Sequence, residues 1–256
     1  MSVSFRFHPR TQCAHHPTSS CNRLSVIAPY AAELGLFLNL DRLRVQGTHV
    51  LPALQSALTL WSVHITDAFA PDPDHAHVLE RTQTLRSSLL SQAQAQLAST
   101  LGTVDIDPDP AIFLHVIQTG VLLAYYMQRT GQVVGARYYA SGTCALGIML
   151  KLHQSSHISA GAAEGEGLTH GNTNTCAFSF AGCTRLAPPL DAIEAEERVR
   201  AFWTVYALDR WFSAVGQGPC QSMTMDGTAM TVSWPDGGGM VEVSLAAFLP
   251  YAVFPF

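Results

Sequence analysis

Histidine and cysteine side chains are the first candidates for chemistry in this chain, because both can bind transition metals. His153 and His157 are four residues apart and would face one metal ion if a single helix carried both. The sequence around them does not follow the His-Glu-x-x-His pattern of zinc peptidases. The six cysteines lie at positions 13, 21, 144, 176, 183 and 220, without any Cys-x-x-Cys. Zinc sites normally use closely spaced ligand pairs, so we expect no metal or other cofactor in this chain.

Acidic and hydroxyl side chains show no catalytic grouping either. Asp107 and Asp109 alternate with prolines, which is typical of a turn and a helix cap. Glu164 and Glu166 lie in a glycine-rich stretch that has nothing to hold them in place for acid–base catalysis. Ser141 lacks the Gly-x-Ser-x-Gly context of a nucleophile elbow. These observations predict that the chain is not an enzyme.

Aromatic residues are concentrated in two stretches with a helical pattern, 112–153 and 194–219, which a polar insert separates. Phe202, Trp203 and Tyr206 recur at helical spacing, so we expect them to pack in a core. The alternative is that Trp203 and Tyr206 line a small-molecule cavity. The adjacent Asp209 and Arg210 are expected to be structural, either as a buried ion pair or through an Asp that holds a neighbouring helix.

Five long helices are predicted from apolar spacing and from cap residues. They cover about 51–67, 74–99, 111–129, 133–153 and 191–216. Gly131 is well placed to end the third helix in a left-handed conformation. Because the link to the fourth helix is so short, these two helices must pack antiparallel. The predicted fold class is therefore all-α, a multi-helix domain with antiparallel helix pairs.

Two further expectations concern how these helices pack. In the helix at 74–99, Val78, Leu85 and Leu89 are expected to face inward, whereas the second half, with its alternating Gln and Ala, is expected to be exposed. Glycine weakens an exposed helix, so three glycines of the fourth helix are expected to mark close approaches of a neighbour. They are Gly135, Gly142 and Gly147.

The domain organisation follows from composition along the chain. Residues 1–22 are polar and are expected to be disordered. Residues 23–240 form the predicted helical domain, interrupted by a long polar and flexible insert at 154–190. Residues 241–256 are an apolar tail, which suggests a domain that continues further.

The charge and hydropathy of the chain argue against two classes of protein, those that bind nucleic acid and those that span a membrane. Hydrophobic residues make up 48% of the chain and charged residues 13%, with a net charge of −5. The absence of a basic run argues against binding of nucleic acid by this chain alone. The most apolar window, 111–127, has 17 residues and contains His115 and Gln118, so it is expected to be a core helix and not a membrane span.

Two stretches carry a resemblance to a known family. One runs from Ile117 to Gln154 and ends in Leu152-His153, and the other, at 196–219, contains Phe202-Trp203, Leu208-Asp209-Arg210 and Gly218-Pro219. In this pattern the chain resembles the fungal-specific transcription factor domain, the middle homology region of fungal zinc-cluster regulators. The chain departs from the pattern at Lys151, where the family usually has a glycine before Leu-His.

The resemblance implies a nuclear, all-α regulatory domain that modulates transcription by RNA polymerase II. It implies protein partners or self-association and a possible small-molecule effector, and no membrane. Members of the family bind DNA and zinc through a separate cysteine cluster, which this sequence lacks. Two other hypotheses stay open: a ligand-free helical scaffold for interaction or dimerisation, and a small-molecule-binding helical enzyme.

Overall fold

The computed structural model of the chain describes residues 20–68, 76–103, 110–154, 186–216 and 232. This part of the chain contains seven α-helices and no β-strand, which confirms the all-α prediction. The helices are α1 (Ser20–Ile27), α2 (Leu40–Gln46), α3 (Pro52–Ala68), α4 (Ala76–Thr103), α5 (Pro110–Arg129), α6 (Val133–Met149) and α7 (Ala192–Gly216). Short 3-10 turns follow α1, α2 and α6, at Ala28–Tyr30, Gly47–His49 and Leu152–Gln154.

Several predicted features lie outside the described residues. They are the N-terminal segment up to residue 19, most of the insert (155–185), the motif residues Gly218 and Pro219, and the tail at 241–256.

Helix α5 lies at the centre of the fold. Residues 113–124 are all buried, and the helix packs against α3, α4, α6 and α7. Among the helices that the structure describes, α5 is the one that is long and apolar enough to cross a membrane, and 78% of its most apolar window is buried inside the protein. Other helices thus provide the apolar surroundings of α5, as predicted for a core helix.

Helices α5 and α6 form an antiparallel pair. Gly131 in the connecting turn has φ of +77°, and the Gln132 N–H donates to the Met127 carbonyl at 2.8 Å. Gly120 near the middle of α5 faces Thr143 on α6, whereas Gly135 at the start of α6 faces Met127 near the end of α5. A later residue of α5 therefore contacts an earlier residue of α6, which confirms the predicted antiparallel packing.

The packing of α4 differs from the prediction. Leu89 is partly buried against the core, as predicted, but Leu85 is 47% exposed, and Ala93 and Leu97, in the half that was expected to face solvent, are buried. The reason is that this half of α4 packs against α3, where the Ser56 hydroxyl donates to Gln96 Oε1 at 2.8 Å. A pair of small and apolar residues four positions apart is enough to form a contact face there.

The glycines of α6 also differ from the prediction in one case. Gly135 lies against Met127, and Gly147 is buried. Gly142, however, is exposed, and a Cβ atom built on it would have no neighbour within 4 Å. Helix α6 ends at Met149 instead of near His153.

Candidate functional site

The aromatic residues of α7 form a connected cluster. Phe202 is fully buried, while Trp203 and Tyr206 are partly buried against the core. The ring centroids of Phe202 and Trp203 are 5.1 Å apart, and those of Trp203 and Tyr206 are 5.8 Å apart. The Arg210 guanidinium lies 5.0 Å from the centroid of the Tyr206 ring, within the range of a cation–π contact. The rings therefore contact one another and the core.

The first turn of α7 is held by a capping box that Asp191 and Glu194 form. The Glu194 N–H donates to Asp191 Oδ1 at 2.6 Å, and the Glu194 carboxylate accepts from the Leu190 N–H at 3.0 Å. The same carboxylate pairs with Arg198 at 2.5 Å. Arg198 also donates to the Ala187 carbonyl at 2.7 Å. Helix α7 is thus fastened both to its own cap and to the segment that precedes it.

Glu197 connects α7 to the start of α2. Its buried carboxylate accepts from the Asn39 N–H at 2.8 Å and lies 3.4 Å from Arg42 Nη1. Burial raises the pKa of Glu197, and the Asn39 N–H and the Arg42 charge oppose that shift. Asn39 in turn caps α2, because its side chain accepts from the N–H groups of Asp41 and Arg42. The Glu197 carboxylate therefore holds the start of α2 against α7.

The Leu152-His153 pair lies where the 3-10 turn packs against α7. Both side chains are buried, and the turn contacts both α6 and α7. Nearby, Cys144 of α6 is buried, with its Sγ 3.7 Å from the Val205 carbonyl oxygen of α7. Burial, together with the charge of Lys151, lowers the pKa of His153. The structure thus brings together the two stretches that carry the resemblance.

The remaining residues of the predicted motif are placed only in part. Asp209 is buried on α7, and its carbonyl accepts from the Ser213 hydroxyl at 2.8 Å. Its pairing with Arg210 or with another helix stays a prediction. Gly218 and Pro219 lie outside the described residues.

Sequence reasoning missed the role of Gln118. This side chain on α5 is fully buried, and its Oε1 accepts from the N–H groups of Phe37 at 2.9 Å and of Leu38 at 3.4 Å. Its Nε2 donates to the Gly35 carbonyl at 3.1 Å. The available signal was a single amide within an apolar run, because a buried amide must find partners. Gln118 therefore fastens the segment between α1 and α2 to the core.

A second missed group is His64, which lies between three helices. Its Nε2 accepts from Arg129 Nε of α5 at 3.1 Å, and Arg86 Nη1 of α4 lies 3.3 Å from its Nδ1. Arg86 also pairs with Asp67 at 3.2 Å. Burial, followed by the charges of Arg129 and Arg86, lowers the pKa of His64 to about 4. A protonated ring would face two cations, so the neutral imidazole is the stable form.

Two small clefts are lined by described residues. A cleft between α2, α5 and α7 has a volume of about 10 Å³, and one between α1, α2 and α3 has about 30 Å³. Such volumes suit one or a few water molecules. Within the described ranges, no three His, Cys, Asp or Glu side chains are grouped so that they could hold a metal ion.

A known protein family matches the sequence of this helical core. Residues 54–223 match the model of the fungal specific transcription factor domain. The match covers more than half of the chain and spans α3 to α7, including Leu152-His153 and the aromatic cluster. No curated protein and no solved structure matches the chain. The matching family is one of transcription factor domains and not of enzymes. The chain therefore belongs to the family of fungal specific transcription factor domains.

Proposed function

We propose that the chain is the regulatory domain of a fungal transcription factor, which works in the nucleus and modulates transcription by RNA polymerase II. The family match over residues 54–223 is the observation that carries this proposal. The chain has no catalytic role in it and holds no cofactor. The contacts of Glu197 and of the half-buried His64 support a structural role for these groups, because each joins one helix to another segment of the fold.

The charge of the chain supports a division of labour within such a factor. There are 14 Lys and Arg residues against 19 Asp and Glu residues, and no Cys-x-x-Cys. Affinity for DNA depends on cationic side chains that neutralise phosphates. In the proposal, DNA is therefore bound through a separate zinc cluster, and this chain controls the transcriptional output of the bound factor.

A reporter experiment tests the regulatory role. The whole chain is fused to an unrelated DNA-binding domain in a fungal cell, and transcription from a matching reporter is compared with that of the DNA-binding domain alone. We expect a change in reporter output that is lost with Phe202→Ala, which opens the core, and kept with Val45→Ala, since Val45 is 88% exposed. A folded fusion that leaves the reporter unchanged would refute the proposal.

Two modes of regulation remain candidates within this role. A metabolite effector needs a cavity of about 300 Å³ or more, so it would bind elsewhere than in the two clefts of about 10 and 30 Å³ that described residues line. A ligand-free scaffold is favoured by apolar residues exposed on α6, such as Val134 and Tyr138. Thermal-shift screening separates the modes, because an effector that binds only the folded chain raises its melting temperature.

A further inference from the structure

The two ring nitrogens of His64 both face arginine side chains. Arg129 Nε of α5 donates to Nε2 at 3.1 Å, and Arg86 Nη1 of α4 lies 3.3 Å from Nδ1. A guanidinium carries N–H donors and has no acceptor. The imidazole must therefore be the acceptor in any direct hydrogen bond with either arginine.

A single imidazole cannot satisfy both arginines. The neutral ring accepts at one nitrogen and carries its proton on the other. Since Nε2 accepts from Arg129, the tautomer assigned from this hydrogen bond has its proton on Nδ1. The Nδ1–H and the N–H of Arg86 Nη1 then meet as two donors, with their nitrogens 3.3 Å apart. Protonation of the ring leaves this conflict in place, because an imidazolium donates at both nitrogens.

Packing fixes the direction in which these donors point. Trp61 and Tyr126 pack against the imidazole of His64 in T-shaped contacts, each with its ring centroid 5.5 Å away. Both of these aromatic side chains are buried. Asp67 accepts from Nη2 of Arg86 at 3.2 Å, while Nη1 of the same guanidinium faces His64. The meeting of the two donors is therefore built into the junction of three helices.

Two donors at this separation can share one acceptor. An oxygen atom about 2.9 Å from each nitrogen, the usual length of such a bond, would accept from both groups at once. The charges that act on the His64 ring are those of Arg129, Arg86 and Asp67, so positive charge is in excess there, although Glu33 offsets part of the Arg129 charge. This excess favours an anion over a water molecule as the shared acceptor.

We propose that His64 Nδ1–H and Arg86 Nη1 bind an oxyanion of the phosphate class, one oxygen of which accepts from both groups. Guanidinium groups form strong, charge-assisted hydrogen bonds with such oxygens. Arg129 acts through its charge and by fixing the tautomer of His64, and Asp67 orients Arg86. The Arg86 side chain is 22% exposed, so a small anion can reach it from solvent. The bound anion would connect α4 to α3.

The tautomer of His64 tests the geometric step of this proposal. Nitrogen NMR of the imidazole rings of the full chain distinguishes Nδ1–H from Nε2–H, and loss of a signal in His64→Gln assigns it. At neutral pH we expect the Nδ1–H tautomer. Inorganic phosphate should shift its Nδ1 signal until the shift saturates, whereas sodium chloride at equal ionic strength should not. An Nε2–H tautomer would overturn the proposal. A ring signal that phosphate leaves unchanged would also overturn it and would make water or a carboxylate of this chain the acceptor.

Two arginine variants of α4 separate binding from a general salt effect. Phosphate also stabilises proteins by exclusion from their surface, so its effect on the melting temperature is compared between variants. The wild type and Arg81→Gln, at an exposed arginine of the same helix, should show a rise that begins at low phosphate concentration and levels off. Arg86→Gln should lose this part of the rise. The same response in Arg86→Gln as in the wild type would contradict the proposed site.

A phosphate monoester distinguishes two sources of the anion. If glycerol phosphate shifts the His64 signal as inorganic phosphate does, the site can take the phosphate group of a small metabolite. A response to inorganic phosphate alone would assign the site to the free ion, and either result supports the site. This inference goes beyond the regulatory role. It is tested on purified protein without a reporter, so a failure of one leaves the other standing.

Discussion

At the scale of single residues, the backbone of Lys151 adopts a conformation that side chains disfavour. Its φ of +54° is the one positive value at a non-glycine position among the described residues. The left-handed conformation costs about 1–2 kcal/mol for an L-amino acid. The family that the chain resembles usually has glycine at this position, before Leu152-His153. The chain thus keeps the turn while it lacks the residue that suits it best.

Replacement of Lys151 by glycine should stabilise the chain. We expect Lys151→Gly to raise the free energy of unfolding by up to about 1 kcal/mol, since the relief of strain is partly offset by the greater freedom of glycine in the unfolded state. Urea denaturation measures the change. Lys151→Ala is the control, because it removes the charge and keeps the strain. Equal stability of the two variants would show that the backbone conformation is not the cause.

The aromatic cluster gives a second prediction at the residue scale. Phe202→Ala should lower the free energy of unfolding by roughly 3–5 kcal/mol, as for a large side chain removed from a core. Trp203→Ala should lower it less, because Trp203 is only partly buried whereas Phe202 is fully buried. Denaturant midpoints of the two variants test the order. The reverse order would mean that the larger ring carries more of the packing than its burial indicates.

At the scale of helices, the sequence predicted starts and ends better than contact faces. The predicted starts at 111 and 191 lie within one residue of the observed starts of α5 and α7, and Gly131 ends α5 as expected from local cap rules. Those rules depend on neighbours in sequence. The inward face of α4 was wrong at Leu85, because that face is set by α3, a different part of the chain. A weakly apolar helix has more than one face that it can bury.

The close approach of α5 and α6 gives a prediction at this scale. A Cβ on Gly120 would overlap the Thr143 hydroxyl, so Gly120→Ala should lower the free energy of unfolding by roughly 1–3 kcal/mol. Gly142→Ala on the outer face should instead raise it by up to about 1 kcal/mol. Thermal or urea unfolding at low protein concentration compares the two. Stabilisation by both substitutions would show that α5 and α6 are further apart than described.

At the scale of the whole molecule, the groups that tie distant segments together were out of reach of sequence reasoning. Gln118 is 81 residues from Phe37, and His64 is 65 residues from Arg129. Trp61 is also 61 residues from Leu122, to whose carbonyl its Nε1 donates at 3.0 Å. No local pattern specifies such pairs. The sequence therefore predicted the helices and the motif, while the polar contacts that assemble them had to come from the structure.

The position of His64 between Arg86 and Arg129 lets us predict how the free energy of unfolding depends on pH. The pKa of His64 is lowered to about 4 in the folded chain, from 6.5. Between these values the unfolded state binds a proton that the folded state does not, so stability falls as pH falls from about 6.5 towards 4. The loss from this group is at most about 3 kcal/mol, and solvent access to the ring reduces it.

Urea denaturation at several pH values tests this dependence. His64→Gln keeps a hydrogen-bond acceptor for Arg129 and cannot be protonated, so it should flatten the fall in stability below pH 6.5. His49→Gln, at an exposed histidine, should leave the wild-type slope in place. An unchanged slope in His64→Gln would assign the effect to other groups.

The residues before the family match have a practical consequence. The match begins at Leu54, yet α1 packs against α3, and the partners of the Gln118 amide lie at 35–38. An expression fragment trimmed to 54–223 would expose the apolar face of α3 that α1 covers. It would also leave the Gln118 amide without its hydrogen-bond partners. Such a fragment would tend to aggregate. A lack of effect of this fragment in the reporter experiment would therefore not test the regulatory role.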